Sequence, residues 1–282
     1  MKKFGMLLAG LTLCLSTFAK DVENKKYNKI VVLDPAVVET IYMLGGESSI
    51  AAIADTAMSP VWPFDKTKAL PKVGAVNKPS FEQIISFEPD LVVVGAMSTS
   101  VIPNLEAKGI SYIEPDGTTF ENILDNIKRY GIYTGQEAKA EELYNHYVTK
   151  LEDVKKEISE KPLNRKGAIL YSTSPLMAFN SKSLPGQIFN TLGIKNIADN
   201  LPGGKPILST EYIITQNPDL ILGAMSIKSK DDILNSTPIM KDTAAAKRGD
   251  IFILDSSKML RPTPRVIDAL VDLYQELKVE KN

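Results

Sequence analysis

Residues 80–91, SFEQIISFEPDL, and residues 209–220, STEYIITQNPDL, decide the fold of this chain. They match as S-x-E-x-I-I-x-x-x-P-D-L without a gap, at an offset of 129 residues (211 − 82). Each continues into an apolar strand and a near-identical turn, VVVGAMS ending at Ser98 and LILGAMS ending at Ser226. A serine N-cap, a short helix, a Pro-Asp turn and a strand recur in the same order. We therefore interpret the chain as two copies of one α/β unit.

Between the two copies lies the longest helical pattern of the chain, residues 134–161. Thr134 and Glu137 have the spacing of a capping box, which predicts the start of a helix. Pro162 predicts its end. The stretch 136–160 contains no glycine, so we expect a stiff helix that resists closure of the lobes on each other. Its apolar residues recur at helical spacing and form one stripe: Leu143, Tyr144, Tyr147, Leu151, Val154 and Ile158.

Strand and helix patterns alternate on both sides of this helix, which predicts mainly parallel sheets. The predicted fold class is α/β: two doubly wound, Rossmann-like lobes joined by one long α-helix. The N-terminal lobe would span residues 20–133, the linking helix residues 134–161 and the C-terminal lobe residues 162–282. A chain of 282 residues is long enough for two such lobes.

Residues 1–19 have the pattern of a cleaved secretory signal peptide: two lysines, an apolar run and an Ala exit residue. Cys14 is the only cysteine, and it follows Leu13 within the apolar run. A lipoprotein signal wants a small residue before its cysteine, so a lipid anchor is the less favoured alternative. The pattern predicts a secreted protein; a periplasmic location is implied only by the family resemblance given below.

Composition and motifs argue against several functions. The net charge of −1 gives no basic surface for nucleic acid. The sequence contains no GxSxG, no GxGxxG after a strand and no P-loop, so an α/β enzyme is a minor alternative. His146 is the only histidine and lies off the apolar stripe of the linking helix, where a solvated side chain is expected. One imidazole cannot build the site of a bare zinc or manganese receptor.

Parallel sheets bind ligands at the carboxyl ends of their strands, and two facing sheets would form a cleft there. Trp62 lies in a loop on that side and can stack on a planar chelate, although packing under the loop is equally compatible with it. Met97 and Met225 occupy equivalent turns, where a thioether suits iron or a macrocycle but also fills core gaps. We add Met177, from a predicted long loop at 172–180, and Arg261, predicted at the cleft rim. Arg261 can pair with carboxylates or catecholates, or bond a helix end at the surface.

Four segments together resemble a known family: IVVLDPAVVETIYMLGG (30–46), LPKVGAVNKPSFEQIISFEPDLVV (70–93), GKPILSTEYIITQNPDLIL (204–222) and RPTPRVIDAL (261–270). They are similar to the periplasmic receptors of the iron-complex and vitamin B12 class of ABC importers, whose two lobes are linked by a single helix. Haem receptors of that class often carry Tyr or Met just after the Val-Gly turn. This chain has Ala75, Val76 and Asn77 there, which weakens haem ligation at that position.

The resemblance implies a monomeric binding protein that performs no chemistry and needs no cofactor of its own. Its ligand would be an iron chelate or tetrapyrrole, with a siderophore or haem favoured and a corrinoid as the alternative. Which side chains meet the metal is left open. The partner would be an ABC permease dimer with its ATPase in the inner membrane. Members of the class present one glutamate per lobe to permease arginines, and Glu82 and Glu211 match that motif. Each glutamate also suits the first turn of its helix, where it offsets the helix dipole.

Overall fold

The computed structural model describes residues 25–56 and 59–279. The predicted signal peptide and Cys14 lie outside these residues. Two sheets are present, and their strands alternate with helices as the sequence predicts, so the fold is mixed α/β with mostly parallel pairing.

The N-terminal lobe contains a six-stranded sheet in the order β4-β3-β2-β1-β5-β6. All pairs are parallel except β3 with β4. Its elements are β1 Ile30–Val32, α1 Pro35–Leu44, β2 Ile50–Asp55, α2 Phe64–Thr67, β3 Lys72–Ala75, β4 Lys78–Pro79, α3 Phe81–Ser86, β5 Leu91–Val93, α4 Ile102–Ala107, β6 Tyr112–Ile113 and α5 Phe120–Thr134. Short 3-10 turns lie at Glu47–Ser49 and Thr99–Val101.

The linking helix α6 spans Glu137–Glu160, 24 residues, or about 36 Å at about 1.5 Å per residue. The predicted capping box at its start is wrong. Thr134 is the last residue of α5, it is buried, and its hydroxyl donates to the Tyr130 carbonyl (2.7 Å). Gly135 then adopts the left-handed conformation that ends α5, and the chain restarts as a helix at Glu137 with no side-chain cap.

The C-terminal lobe has a sheet in the order β11-β10-β7-β8, and β9 also pairs with β7. Its elements are β7 Lys166–Thr173, β8 Leu176–Phe179, α7 Leu184–Thr191, β9 Lys195–Asn196, α8 Thr210–Gln216, β10 Leu220–Gly223, α9 Lys230–Leu234, α10 Ala244–Arg248, β11 Ile251–Ile253, α11 Ser256–Met259 and α12 Arg265–Leu277. Further 3-10 turns lie at Ile197–Asn200 and Pro238–Asp242. The segment predicted as one long loop, 172–180, instead contains an antiparallel hairpin of β7 and β8.

Strand alternation divides the buried residues into layers. Ile30 and Val32 of β1 point to a central core, while Val31 and Leu33 point to an outer layer under α3 and α4. The central core continues through the apolar stripe of α6 into the C-terminal lobe, where α12 packs on α6. The two lobes therefore share one apolar core through the linking helix, as well as having separate outer layers.

Candidate functional site

The repeated GAMS turns lie directly after the parallel strands β5 and β10, at the carboxyl edge of each sheet. The serine anchors the turn in both lobes: Ser98 Oγ donates to the Val76 carbonyl (2.6 Å), and Ser226 Oγ donates to the Tyr171 carbonyl (2.8 Å). The methionine before each serine stays exposed, Met97 by 61% and Met225 by 48%. Neither thioether fills a gap in the core, so the alternative interpretation given above for these two methionines is wrong.

Asp34 follows β1 at the same edge of the N-terminal sheet. Its carboxylate accepts the backbone N–H of Ala36 (2.8 Å) and so caps α1. Burial raises the pKa of the Asp34 carboxyl, against the opposing effect of the helix N–H groups and of Arg261. The ionised form of the Asp34 carboxyl is therefore less favoured at this edge than it would be in water.

Trp62, in the loop after β2, and Phe64, the first residue of α2, are both exposed. The backbone N–H of Trp62 donates to Glu39 Oε1 (3.1 Å), and the Arg265 guanidinium lies over the indole ring, 5.1 Å from its centroid. The indole of Trp62 is therefore not packed under its loop. Because the backbone holds it in place and the ring is exposed, it can contact the face of a ligand.

Met177 and Arg261 are not where the sequence predicts them. Met177 lies on β8, is half-buried, and its sulfur accepts the Tyr171 hydroxyl proton (3.2 Å). Arg261 is only 8% exposed, so an exposed position at the cleft rim, or at a helix end on the surface, is wrong. Its guanidinium pairs with Glu39 and donates to carbonyl groups of Ser59 and Pro60. The pairing partner lies 222 residues away in sequence, so no local pattern could have shown it.

A cavity of about 790 Å³ opens at the carboxyl edge of the C-terminal sheet, where β7 and β10 end. Most of its lining residues carry a hydroxyl group: Ser172, Thr173, Ser174, Ser226 and Ser236. The others are Lys228, Asp232 and Asn235. Ser172, Thr173, Ser174 and Ser226 lie in loops that were predicted to line the cleft, whereas Lys228, Asp232, Asn235 and Ser236 were not predicted. The signal was available, because the polar stretch after β10 leaves the same edge of the sheet.

A larger cavity, about 1160 Å³, lies elsewhere, beside Arg165 and Asp250. These residues stand just before β7 and β11, at the amino ends of the strands. Parallel sheets bind ligands at the opposite edge, so the smaller cavity has the position expected of a ligand site and the larger one does not.

Glu82 and Glu211 lie in the first turns of α3 and α8, each after a serine that caps the helix, as the sequence predicts. Both carboxylates are exposed. Backbone and Ser209 hydrogen bonds lower the pKa of the Glu211 carboxyl. The two glutamates are held at matching positions of the two lobes.

A family model described as periplasmic binding protein matches residues 30–258, most of the chain. The chain belongs to the periplasmic binding protein family. It is a substrate-binding protein of a transport system and not an enzyme. Within the described residues, no helix combines the length and apolar character needed to cross a bilayer.

Curated relatives are similar over three quarters of their length or more. A vitamin B12-binding protein of Vibrio parahaemolyticus is 22% identical over 92% of this chain and 92% of its own. YvrC of Bacillus subtilis, an uncharacterized ABC transporter substrate-binding lipoprotein, is 25% identical over 92% of this chain and 82% of its own. The petrobactin-binding protein YclQ of Bacillus subtilis is 24% identical over 83% and 76%.

Solved structures show the same fold. The periplasmic vitamin B12-binding protein BtuF of Vibrio cholerae superposes with a TM-score of 0.77 and 20% identity, covering 90% of this chain and 97% of its own. The periplasmic haem-binding protein BhuT, solved with two haems, gives a TM-score of 0.77 and 19% identity, covering 89% and 98%. At this identity the likeness concerns the fold and not the ligand.

Proposed function

We propose that this protein captures an iron complex, a siderophore or haem, at the carboxyl edges of its two sheets and delivers it to an ABC permease. The observation that carries the proposal is the pair of exposed methionines on equivalent, serine-anchored turns. Exposed apolar side chains on turns at the carboxyl ends of parallel strands are typical of a ligand site.

The two halves of the site offer different chemistry. Trp62, Phe64 and Met97 give the N-terminal half an apolar and aromatic character. The C-terminal half contributes the hydroxyl-lined cavity with Lys228. A ligand with one apolar face and a polar or anionic edge complements both halves, as ferric catecholates and haem do. Met225 adds an exposed thioether to the C-terminal half, and this sulfur can meet the metal or the macrocycle.

A corrinoid is the second candidate, and one observation favours it. Several of the curated relatives carry the name vitamin B12-binding protein. The hydroxyl groups and Asn235 in the C-terminal cavity also suit the amide side chains of a corrin ring, because hydroxyls both donate and accept.

Visible absorption of the protein after mixing with each candidate and gel filtration tests the proposal. Haem, ferric siderophores and corrinoids absorb at different wavelengths, while the protein alone does not absorb in this range. We expect one class of chromophore to co-elute with the protein at a stoichiometry near one. If every candidate separates from the protein, the ligand class is wrong.

For delivery, we propose that Glu82 and Glu211 dock on arginines of the two permease subunits. Their exposure and their matching positions in the two lobes support this role. A two-fold related permease would then meet one carboxylate from each lobe, which sets the docking register as well as the attraction.

We also propose that residues 1–19 act as a cleaved signal peptide and that the mature protein works as a periplasmic monomer. The N-terminal pattern and the family support export. The name of YvrC keeps a lipid anchor as the alternative. Intact mass of the protein from a periplasmic fraction distinguishes the two, since lipidation at Cys14 would retain that residue and add acyl chains.

A further inference from the structure

Residues 261–265, RPTPR, which we call the latch segment, contact the N-terminal lobe at three points although they belong to the C-terminal lobe. At the first point, the two terminal nitrogens of Arg261 donate hydrogen bonds to residues of the N-terminal lobe. One nitrogen reaches the Glu39 carboxylate and the Pro60 carbonyl (2.7 Å), and the other reaches the carbonyl (2.8 Å) and hydroxyl (2.6 Å) of Ser59. Both terminal nitrogens of the planar guanidinium are therefore engaged by one loop and one helix of the opposite lobe.

The second point is the other oxygen of Glu39, which accepts from Arg265 (2.9 Å). Glu39 lies inside α1 and is fully buried, so its charge is tolerable only because two arginines compensate it. The same carboxylate accepts the backbone N–H of Trp62, and Arg265 lies over the Trp62 ring. One buried carboxylate thus joins helix α1, the Trp62 loop and the start of α12.

At the third point, Pro262 packs against Gly117 of the N-terminal lobe. A Cβ built on Gly117 would lie 2.2 Å from Pro262 Cβ, so only glycine permits this approach. This close steric contact adds to the ion pairs of Arg261 and Arg265 in holding the latch segment against the N-terminal lobe.

We propose that Glu39, Arg261 and Arg265 form a latch, a second tie between the lobes besides α6, and that they are positioning residues for Trp62. The lobe angle and the Trp62 loop are then set by one buried network. The latch itself does not depend on the ligand. Its consequence for ligand binding rests on the proposed function.

Trp62 is the only tryptophan, so its fluorescence reports on the latch in the protein without ligand. The main variant is Glu39→Gln, which keeps the shape of the side chain and removes the charge. Arg265→Met is the second variant, because it leaves the Glu39–Arg261 pair intact and so puts the fold at less risk. Glu157→Gln is the matched control, since Glu157 also pairs with a residue next to α12, Lys278 (2.7 Å), but at a partly exposed position.

We expect the acrylamide quenching constant of Trp62 to rise roughly twofold in both latch variants and to stay unchanged in the control, because the loop loses its anchor. Circular dichroism checks that each variant is folded. An unchanged quenching constant in folded Arg265→Met protein would show that the network does not position Trp62. If Glu39→Gln protein does not fold, Arg265→Met alone decides the result.

Lobe motion is measured separately, by electron–electron distance between spin labels on Ser86→Cys and Thr215→Cys in a chain with Cys14→Ser. Both positions are exposed and lie on α3 and α8, one in each lobe. We expect a narrow distance distribution that broadens roughly 1.5-fold with Glu39→Gln or Arg265→Met and not with Glu157→Gln. Equal widths in all four proteins would mean that α6 alone holds the lobes.

Both measurements use the protein without ligand, so they separate the two ideas. If the latch readouts change as expected and no iron complex binds, the proposed ligand is wrong and the latch stands. If a chelate binds and the readouts do not change, the latch is wrong and the proposed function stands.

Discussion

In the N-terminal lobe, Asp90 of the repeated unit accepts the backbone N–H groups of Asn28 (2.8 Å) and Lys29 (3.0 Å), just before β1. In the C-terminal lobe, the equivalent Asp219 lies against the backbone N–H of Lys166 (3.3 Å), the first residue of β7. The Pro-Asp turn therefore has the same task in both copies: its carboxylate joins the strand that it precedes to the start of the neighbouring strand.

The two copies differ in what surrounds this carboxylate. Asp219 also pairs with Arg165 (2.9 Å), which in turn pairs with Asp250 before β11 (2.6 Å). One guanidinium thus connects three strands of the C-terminal sheet at their amino ends. Both copies of the motif make the same backbone contact, while among the described residues an ion-pair network is present at Asp219 and none is seen at Asp90.

The largest effect that we expect concerns Glu82 and Glu211, the exposed glutamates that the two copies share. Glu82→Ala and Glu211→Ala should each reduce ligand uptake about tenfold or more, and the double change should nearly abolish it. The reason is that truncating a charge pair that is desolvated on docking costs about 2–5 kcal/mol. Uptake in cells, measured beside ligand affinity of the purified variants, checks this. Ligand affinity should not change.

Glu152→Ala is the control for this experiment, because Glu152 is an exposed carboxylate on α6, away from α3 and α8. Normal uptake in the Glu82→Ala, Glu211→Ala double variant would leave both glutamates as helix-end residues only. A large effect of one single variant and none of the other would break the equivalence of the two copies.

The next largest effect concerns the Arg165 ion-pair network, which distinguishes the second copy from the first. Asp219→Ala should lower the free energy of unfolding by about 2–3 kcal/mol, because it removes one of two partners of a largely buried arginine. Asp90→Ala should cost only about 1 kcal/mol, since it removes hydrogen bonds to backbone N–H groups near the surface. Urea unfolding of the two variants gives the comparison. Equal losses would show that the Arg165 network adds nothing.

Much of this comparison could be predicted from the sequence. The repeat identified both serine caps, because an N-cap and a first-turn acid form a local pattern. It also placed Met97 and Met225 on equivalent turns at the sheet edges. The start of the linking helix was missed because Thr134 satisfies its hydroxyl within the preceding helix, an alternative that the capping-box pattern cannot exclude.

The contacts between the lobes could not be predicted. No local pattern marks Glu39 as the partner of an arginine, and Arg261 was predicted at the cleft rim or at a helix end on the surface. Their pairing depends on how the last helix returns to the N-terminal lobe. Met177 was assigned to a loop because Ser174 and Pro175 mark a break in the pattern, which is in fact the tight turn of a hairpin. Both the pairing of Glu39 with Arg261 and the choice between a loop and a hairpin depend on long-range packing.

The smallest effect concerns the charge of Glu211. Because hydrogen bonds lower the pKa of its folded carboxyl below the ordinary 4.5, its contribution to stability is present above pH 4.5 and is lost as the pH falls through the lowered pKa. Ser209→Ala should raise this pKa towards 4.5. Carbon-13 NMR titration of the side-chain carboxyl measures it. Ser229→Ala, which removes the cap of α9 in the same lobe, is the control. No change with Ser209→Ala would exclude that hydrogen bond as a cause.

Titration of Trp62 fluorescence with haemin, a panel of ferric siderophores and cobalamin tests the central claim most directly. The indole is exposed beside the proposed site, and a coloured chelate that binds there must quench it. We predict saturable quenching by one class of chelate, with a dissociation constant in the micromolar range or tighter, about −8 kcal/mol or better. The same curve should be obtained with the Glu82→Ala, Glu211→Ala double variant, which keeps the site and loses the docking charges. Absence of saturable quenching by every chelate in folded wild-type protein would contradict the account.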